Sequence, residues 1–265
     1  MRLVTRLLAP ARDARIADVR IGLGYTAVML TDGRTGVAFT FRDQTQGGCS
    51  VFHGIRPLTT RPAEDLLVLL ESRDAIEAGV GLACANALAM PGRSTFLEGD
   101  VLEHLELGPE DDVGMIGHFG PLVGAIQDRA RSLAVFERVD QPSGLLRPQR
   151  EAEAALPRCQ VAVITATSII NHTIDGLLKG CRRCREVVLL GASTPLVPEA
   201  FIAEEVTMLS GIVVKDAAEV MRVVSEGGGM RQFSPYVRKV TLRVSSPLPA
   251  PAEAHGVPAG ERRKR

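Results

Sequence analysis

The chain contains no tryptophan, few aromatic residues and no excess of charge of either sign. Aromatic residues make up 4% of its 265 residues and hydrophobic residues 45%, so the core must consist mainly of aliphatic side chains. Thirty-one basic residues balance thirty-one acidic ones. Because general attraction to nucleic acid or anionic lipid requires a positive surface, we expect neither nucleic acid nor a membrane as a partner.

Cysteines and long apolar runs are also scarce. The five cysteines are odd in number and sparse, which argues against a disulfide framework and favours a reducing compartment. No run reaches the ~18 apolar residues of a membrane-spanning helix, and the start lacks the apolar segment of a signal peptide. We therefore expect a cytoplasmic protein. Cys181 and Cys184 form a single C-x-x-C, which is weak evidence for zinc; their role stays open.

Residues 1–107 combine strand-like and helical patterns. Apolar residues alternate over residues 19–29 and again over residues 36–41, and Asp32-Gly33 between them indicates a hairpin. Three helices are predicted after these strands: Ala63–Ser72, Asp74–Ala89 and Leu97–Leu107. This order predicts a small α+β domain.

Residues 108–246 show a different pattern, in which short apolar runs alternate with helical segments. Such a pattern predicts a Rossmann-like α/β domain with a parallel sheet. Tyr236–Val244 is predicted to add an edge strand, and residues 247–265, rich in Pro, Ala and charge, are predicted to be a disordered tail. The predicted parallel strands are Val113–Gly117, Leu133–Glu137, Val161–Thr165, Val187–Gly191 and Val206–Leu209.

In open parallel sheets, ligands bind in the crevice at the carboxyl ends of the strands. Gly117-His118-Phe119-Gly120 follows the first predicted strand and precedes a helix, whose free N–H groups attract anions. The spacing differs from the dinucleotide fingerprint G-x-G-x-x-G, and Phe119 stands where a close-approach glycine would be. A binding role for this turn and a purely conformational one both remain open.

Two further segments carry more polar groups than turns require. Glu137 ends the second predicted strand, about 20 residues after the glycine turn, where dinucleotide folds place an acid that binds ribose. Thr167, Asn171 and Thr173 follow the third strand, with Thr173 as a candidate helix cap. We predict a binding role for this stretch.

The loop after the fourth predicted strand contains Ser193, Thr194 and Pro195, which could offer hydroxyl and backbone donors to an anion or simply form a capped turn. His118 and His172 follow the first and third strands. Two imidazoles with Glu137 or a neighbouring acid would suit a divalent transition metal. Each alone is more often a hydrogen-bonded loop histidine.

Several short motifs, taken in order, resemble a family of domains of unknown function labelled "putative heavy-metal chelation". The resemblance covers roughly residues 15–245 and implies an enolase N-terminal-like domain followed by a Rossmann-like domain. It rests on Gly22-Leu-Gly-Tyr-Thr-Ala27, Gly81-Leu82 to Asn86, Val113-Gly-Met-Ile-Gly117, Val135-Phe-Glu137, Ile164-Thr-Ala-Thr167, Ile170-Asn171-His-Thr173, Leu190-Gly-Ala-Ser-Thr-Pro-Leu196, Leu209-Ser-Gly211 and Gly227-Gly-Gly229.

The resemblance implies metal chelation, with a site between the two domains. The positions it implies as lining this site are Gly117, Glu137, Thr167, Asn171, Thr173, Ser193, Thr194 and Pro195. His118 and His172 stand where relatives are expected to have other residues, so the resemblance does not support a metal role for them.

Our leading hypothesis is a protein that binds a small ligand or a metal chelate at the carboxyl ends of the Rossmann-like strands. The Gly47–Cys49 loop or Asn86 is expected to cover the opening. The alternative is an enzyme that uses a nucleotide-like cofactor in the same crevice. The identity of the metal or ligand, any catalysed reaction, and the oligomeric state, including a homodimer, stay open.

Overall fold

The computed structural model describes residues 2–8, 13–44, 52, 54–89, 96–97 and 99–244. The Gly47–Cys49 loop and the tail predicted for residues 247–265 lie outside the described residues. The described part of the chain forms two sheets, a small antiparallel one and a large, mostly parallel one. This confirms the predicted α/β fold with an α+β unit before it, whereas the domain boundaries placed after residues 107 and 246 stay predictions.

The small sheet has three strands in sequence order, β1 (Ile16–Ile21), β2 (Tyr25–Leu30) and β3 (Thr35–Phe39). The hairpin at Asp32-Gly33 is confirmed, since β2 and β3 pair antiparallel on either side of it and Gly33 has φ +86°. The alternation over residues 19–29 wrongly suggested one strand, because the chain turns between Ile21 and Tyr25. A Cβ on Gly22 would overlap the backbone oxygen of Val224, so close packing explains the glycine at this turn.

One helix is enclosed by protein on nearly all sides. Helix α3 (Ala75–Leu88) follows α1 (Arg2–Leu8) and α2 (Ala63–Leu67), and 12 of its 14 residues are buried. Asp74 caps it by accepting from the backbone N–H groups of Ile76 (2.8 Å) and Glu77 (3.1 Å). A helix apolar on every face requires neighbours on every face, and α3 packs against β2, β3, α2 and the large-sheet helix α7 (Thr167–Ile170).

The large sheet has seven strands in the order β10-β9-β8-β7-β4-β5-β6, all parallel except the edge strand β10. The chain starts at β4, moves outward to β6 and then returns to β7 on the other side of β4. This reversal of direction is the doubly wound arrangement, which opens a crevice at the carboxyl ends beside the first strand. The strands are β4 (Asp112–Ile116), β5 (Ser132–Glu137), β6 (Leu146–Pro148), β7 (Val161–Thr165), β8 (Glu186–Leu190), β9 (Met208–Val214) and β10 (Val237–Arg243).

The helices of this half differ in detail from the sequence prediction. Within the segment predicted as Leu97–Leu107, the described residues are helical at α4 (Val101–His104) alone. Strand β9 extends to Val214 because β10 pairs along its whole length, and β6 was not predicted, since three residues carry no recognisable period. The remaining helices are α5 (Gly120–Gln127), α6 (Ala152–Ala155), α8 (Ile174–Gly180), α9 (Ala217–Ser225) and α10 (Met230–Phe233).

The two sheets are joined by a shared apolar core. Ala27 and Val37 of the small sheet pack with Val220 and Val224 of α9. The buried residues of α3 belong to one cluster with Ile164 and its neighbours in the large sheet. The relative position of the two sheets is therefore set by burial of aliphatic side chains.

Replacing Gly36 with alanine is expected to destabilise the protein, because the new Cβ would overlap the Ala87 nitrogen and the Ala83 oxygen of α3. We expect the free energy of unfolding to fall by about 3 kcal/mol. Gly124→Ala is the control, because nothing lies within 4 Å of that Cβ and alanine in a helix gains about 0.5–1 kcal/mol over glycine. Urea unfolding of both variants measures the difference; equal stabilities would contradict the close approach.

Candidate functional site

A cavity of about 520 Å³ lies where the carboxyl ends of β4, β5 and β7 meet β2, β3 and the segment after β3. One wall is polar and comes from the loops of the large sheet, and the other is partly aromatic. The residues that line it are Leu23, Gly24, Tyr25, Phe39, Thr40, Phe41, Arg42, Asp43, Ile116, Gly117, His118, Phe119, Phe136, Glu137, Arg138, Gln149, Thr165, Thr167 and Asn171. We refer to it as the main cavity.

The turn after β4 is held between the neighbouring strands. Gly117 has φ +87°, and a Cβ there would lie 3.0 Å from the Thr165 Cβ, so the position favours glycine on both counts. Its N–H donates to the Phe136 oxygen at 2.9 Å. The turn therefore approaches β7 closely and presents Gly117, His118 and Phe119 to the main cavity.

The Glu137 carboxylate ends β5 and is fixed by backbone donors. Its Oε1 accepts from the Arg138 N–H (2.9 Å) and its Oε2 from the His118 N–H (3.1 Å). These two bonds orient the side chain and leave further lone pairs on each oxygen. Glu137 can thus accept a hydrogen bond from a ligand hydroxyl or interact with a cation.

The stretch after β7 folds into the short helix α7, which was not predicted. The Ser168 hydroxyl donates back to the Thr165 oxygen at 2.7 Å, and the Thr165 and Thr167 hydroxyls lie 3.0 Å apart. Asn171 Oδ1 accepts from the Thr173 hydroxyl at 2.8 Å. The Nδ2 group of Asn171 has no hydrogen-bond acceptor among the described residues, so it remains available to a ligand.

The loop after β8 is placed elsewhere. Ser193 and Thr194 are 3% and 2% exposed, and neither they nor Pro195 line the main cavity. The Ser193 hydroxyl accepts from the Phe39 N–H at 2.9 Å, and its backbone oxygen accepts from Asn86 Nδ2 at 3.2 Å. This geometry joins the large sheet to β3 and α3. The expectation that Ser193, Thr194 and Pro195 contact the ligand is not supported by their position.

The two histidines line different cavities. His118 lies at the main cavity, whereas His172 lines a second, adjoining cavity. His172 Nε2 is 2.6 Å from the Ser72 carbonyl oxygen; because a carbonyl only accepts, this nitrogen carries the proton and donates. His172 also has φ +57°. Of the other predicted positions, Thr173 lines the second cavity and Gly120 is exposed at the start of α5.

Soft metal ligands lie at the amino ends of the large-sheet strands, on the side opposite the main cavity. Cys159 precedes β7 and Cys184 precedes β8, where Cys184 Sγ donates to the Cys159 oxygen at 3.3 Å. Burial raises the pKa of the Cys159 thiol to about 11, and contact with Cys184 together with burial raises that of Cys181. The hydrogen bond with Cys181 lowers the pKa of the Cys184 thiol. None of these cysteines lines the main cavity.

No group of three His, Cys, Asp or Glu side chains that could hold a metal ion occurs in the described part of the chain. The main cavity is lined by Asp43, His118 and Glu137, but these side chains do not form a group that could hold a metal ion, whereas transition-metal sites typically have three or four protein ligands. The described residues therefore do not fit a bare heavy-metal ion.

The aromatic wall and a neighbouring arginine were not predicted as site residues. Tyr25 and Phe39 pack edge to face at 5.9 Å, as do Phe39 and Phe41 at 5.1 Å. Burial raises the pKa of Tyr25 to about 12, and the Arg138 guanidinium lies 4.6 Å from the centre of the Phe41 ring. Phe39 and Phe41, two residues apart in a chain poor in aromatics, could have indicated an aromatic surface from the sequence. The position of Tyr25 beside Phe39 follows from the β2–β3 register.

Two family models match the chain. One spans residues 100–243 and the other residues 4–89, and both are described as "Putative heavy-metal chelation". The chain belongs to this family. The description applies to both halves, which agrees with a cavity that receives residues from both sheets.

Similar proteins extend over nearly the whole chain. An uncharacterized protein of Methanocaldococcus jannaschii is 23% identical over 244 residues, which is 88% of this chain and 91% of that protein. A crystal structure of a family member of unknown function from Pyrococcus horikoshii has 21% identity and a TM-score of 0.77, covering 92% of this chain and 98% of that one. Another, from Desulfitobacterium hafniense, has 24% identity and a TM-score of 0.75, covering 92% and 99%. At these identities the structures establish the fold alone.

No helix in the described ranges is both long and apolar enough to cross a bilayer.

Ser193→Ala is expected to lower stability, because it removes the hydroxyl acceptor of the partly buried Phe39 N–H. The free energy of unfolding should fall by about 1–3 kcal/mol. Thr194→Val is the matched control, since the neighbouring Thr194 hydroxyl is buried without a hydrogen-bond partner in the described structure and its removal should be neutral or stabilising. Denaturant unfolding of the two variants decides this. If Thr194→Val were destabilised and Ser193→Ala were not, the hydroxyl of Thr194, and not that of Ser193, would be the one that stabilises the loop.

Proposed function

We propose that this protein binds a small polar ligand, in the form of an organic metal chelate, in the main cavity. The observation that carries the proposal is the convergence of Glu137, at the end of β5, with Thr167 and Asn171, in the segment after β7, onto one cavity of about 520 Å³. This volume lies in the range of small-molecule sites, which combine apolar walls with a few polar groups.

The polar groups of the cavity suit the organic part of such a ligand. Glu137 has free lone pairs for a hydroxyl or for a metal-bound water, and the Asn171 amide can donate to a carboxylate or carbonyl oxygen. The Tyr25 and Phe39 rings supply an apolar surface on the other side. A chelator provides most of the donor atoms to its metal, so the protein needs to recognise only the outer surface of the complex.

The family description supports a metal partner, and the donor set favours a chelate over a bare ion. Asp43, His118 and Glu137 form no group that could hold a metal ion by itself, but one of them could take an open position on a metal already held by a chelator. The chain would then select the chelate by its shape and by hydrogen bonds to it.

An enzyme with a nucleotide-like cofactor is the second candidate, and one observation favours it. The strand order is that of dinucleotide-binding sheets, and Glu137 ends the strand next to β4, where such folds place the ribose-binding acid. Against it, Phe119 occupies the turn at which a pyrophosphate approaches the backbone. A binding experiment separates the two candidates.

Isothermal titration of the full chain against four sets of probes tests the proposal. The probes are the chlorides of nickel, cobalt and zinc, the same metals as citrate complexes, citrate alone, and the nucleotides AMP and NAD. We expect saturable heat with at least one metal–citrate complex and weaker binding of its separate components. Equal affinity for a metal with and without citrate would mean direct coordination. Saturable binding of AMP or NAD alone would favour the cofactor enzyme instead.

Asn171→Asp is expected to weaken chelate binding about tenfold, because it replaces the free Nδ2 donor with an acceptor. The substitution keeps Oδ1, which the Thr173 hydroxyl requires, so the melting temperature should change little. Gln127→Glu makes the same amide-to-acid change at the exposed end of α5, away from the cavity, and should bind normally. Normal binding by Asn171→Asp with a lowered melting temperature would show that Asn171 serves only the loop.

A further inference from the structure

The second cavity adjoins the main cavity and differs from it in charge. Its volume is about 570 Å³, and Arg138, Gln149 and Asn171 line both cavities. Arg73 and Arg150 complete its basic lining. We refer to the part of this cavity bounded by Arg73, Arg138 and Arg150 as the arginine annex.

The three arginines come from separate parts of the chain. Arg73 immediately precedes the capped start of α3, Arg138 follows β5, and Arg150 lies in the turn before α6. The Arg138 guanidinium rests on Phe41, and with the Gln44 amide oriented to accept, Gln44 Oε1 lies 3.0 Å from each Arg138 Nη. Arg150 Nη2 donates to the Asp140 backbone oxygen at 3.0 Å. These contacts orient the Arg138 and Arg150 side chains without neutralising their charge.

No ion pair of Arg73, Arg138 or Arg150 is found within the described ranges, and Glu153 contributes the single carboxylate to the lining of this cavity. The lining of this cavity thus carries an excess of two positive charges, while the carboxylates of Asp43 and Glu137 line the main cavity, which Arg138 also lines. Some arginines of the large-sheet half are ion-paired, as Arg185 is with Asp111 and Arg243 with Glu186, whereas Arg147 donates to backbone oxygens and Arg238 lies over the Phe96 ring. The three arginines of the annex differ from these in lining one cavity together. In a chain with no net charge, an unpaired group of arginines beside a cavity indicates an anionic ligand.

We propose that the arginine annex binds a doubly charged oxyanion group, either a phosphate or a pair of carboxylates. Both groups match the planar, bidentate donor geometry of arginine. This assignment rests on the proposed function. The ligand would be an elongated molecule with its anionic end in the arginine annex and its neutral or metal-bearing end in the main cavity. Arg138, Gln149 and Asn171 would contact it where the two cavities meet.

Titration of the full chain with sodium pyrophosphate and, separately, with sodium malonate tests the annex. Chloride adjusts every sample to the same ionic strength, so that general screening is constant. Arg73→Gln and Arg150→Gln should each raise the dissociation constant of at least one anion about tenfold, the usual effect of losing a charge-assisted hydrogen bond. Preference for pyrophosphate or for malonate distinguishes phosphate from carboxylate as the natural group.

Two control variants separate this inference from the proposed function. Arg182→Gln removes an exposed positive charge near the end of α8, outside the lining of both cavities, and should leave anion binding unchanged. Thr167→Val alters the main cavity alone; it should weaken binding of the metal–citrate complex and leave pyrophosphate binding unchanged.

The annex assignment is overturned if the unmodified protein binds neither anion at millimolar concentration, or if Arg182→Gln weakens binding as much as Arg73→Gln does. Intact anion binding that depends on Arg73 and Arg150, combined with no binding of any metal chelate, would support the annex and reject the chelate. The reverse result, chelate binding that is insensitive to both arginine variants, would reject the annex alone.

Discussion

The enclosure of helix α3 is the constraint on which the rest of the structure depends. Because 12 of its 14 residues are buried, α3 cannot remain on the surface of a small α+β unit, and its free face must be covered by the large sheet and α7. Glycines make the close packing feasible: at Gly36 and Gly81 a Cβ would overlap the neighbouring backbone. The same helix carries Asn86, which donates to Val37 and Ser193 and so ties together both sheets.

The main cavity is a consequence of this docking. A doubly wound sheet alone supplies a crevice at the carboxyl end of β4, open to solvent on one side. Burial of α3 brings β2 and β3 to that side, so Tyr25, Phe39 and Phe41 form a second wall. Neither sheet by itself would enclose a ligand. The main cavity lies between the two sheets, which the hydrogen bonds of Ser193 to Phe39 and Asn86 connect.

Charge is distributed unevenly over the large sheet. At the amino ends of its strands, acids and arginines neutralise each other in pairs such as Asp112–Arg131 and Asp111–Arg185. At the carboxyl ends, Glu137 is held by backbone N–H groups, and the guanidinium of Arg138 rests on an aromatic ring. The ion pairs thus lie at the amino ends of the strands, whereas Glu137 and Arg138 at the carboxyl ends line the cavities. This asymmetry, invisible in a net charge of zero, supports a polar and partly anionic ligand.

The sequence by itself determined the elements whose pattern is local. Short apolar runs between helical segments indicated the parallel strands, and Asp32-Gly33 indicated a hairpin. Glu137 and Asn171 could be placed after strands whose carboxyl ends share one side of the sheet. Tertiary structure alone decided which polar residues line the cavity and which form hydrogen bonds between the two sheets. Ser193 and Thr167 look alike in sequence, since each is a hydroxyl shortly after a buried strand. They differ because β3 supplies a backbone donor to Ser193, a long-range contact that no short window of sequence contains. The arginine annex likewise joins three segments far apart in the chain, so its charge becomes concentrated only when the chain folds.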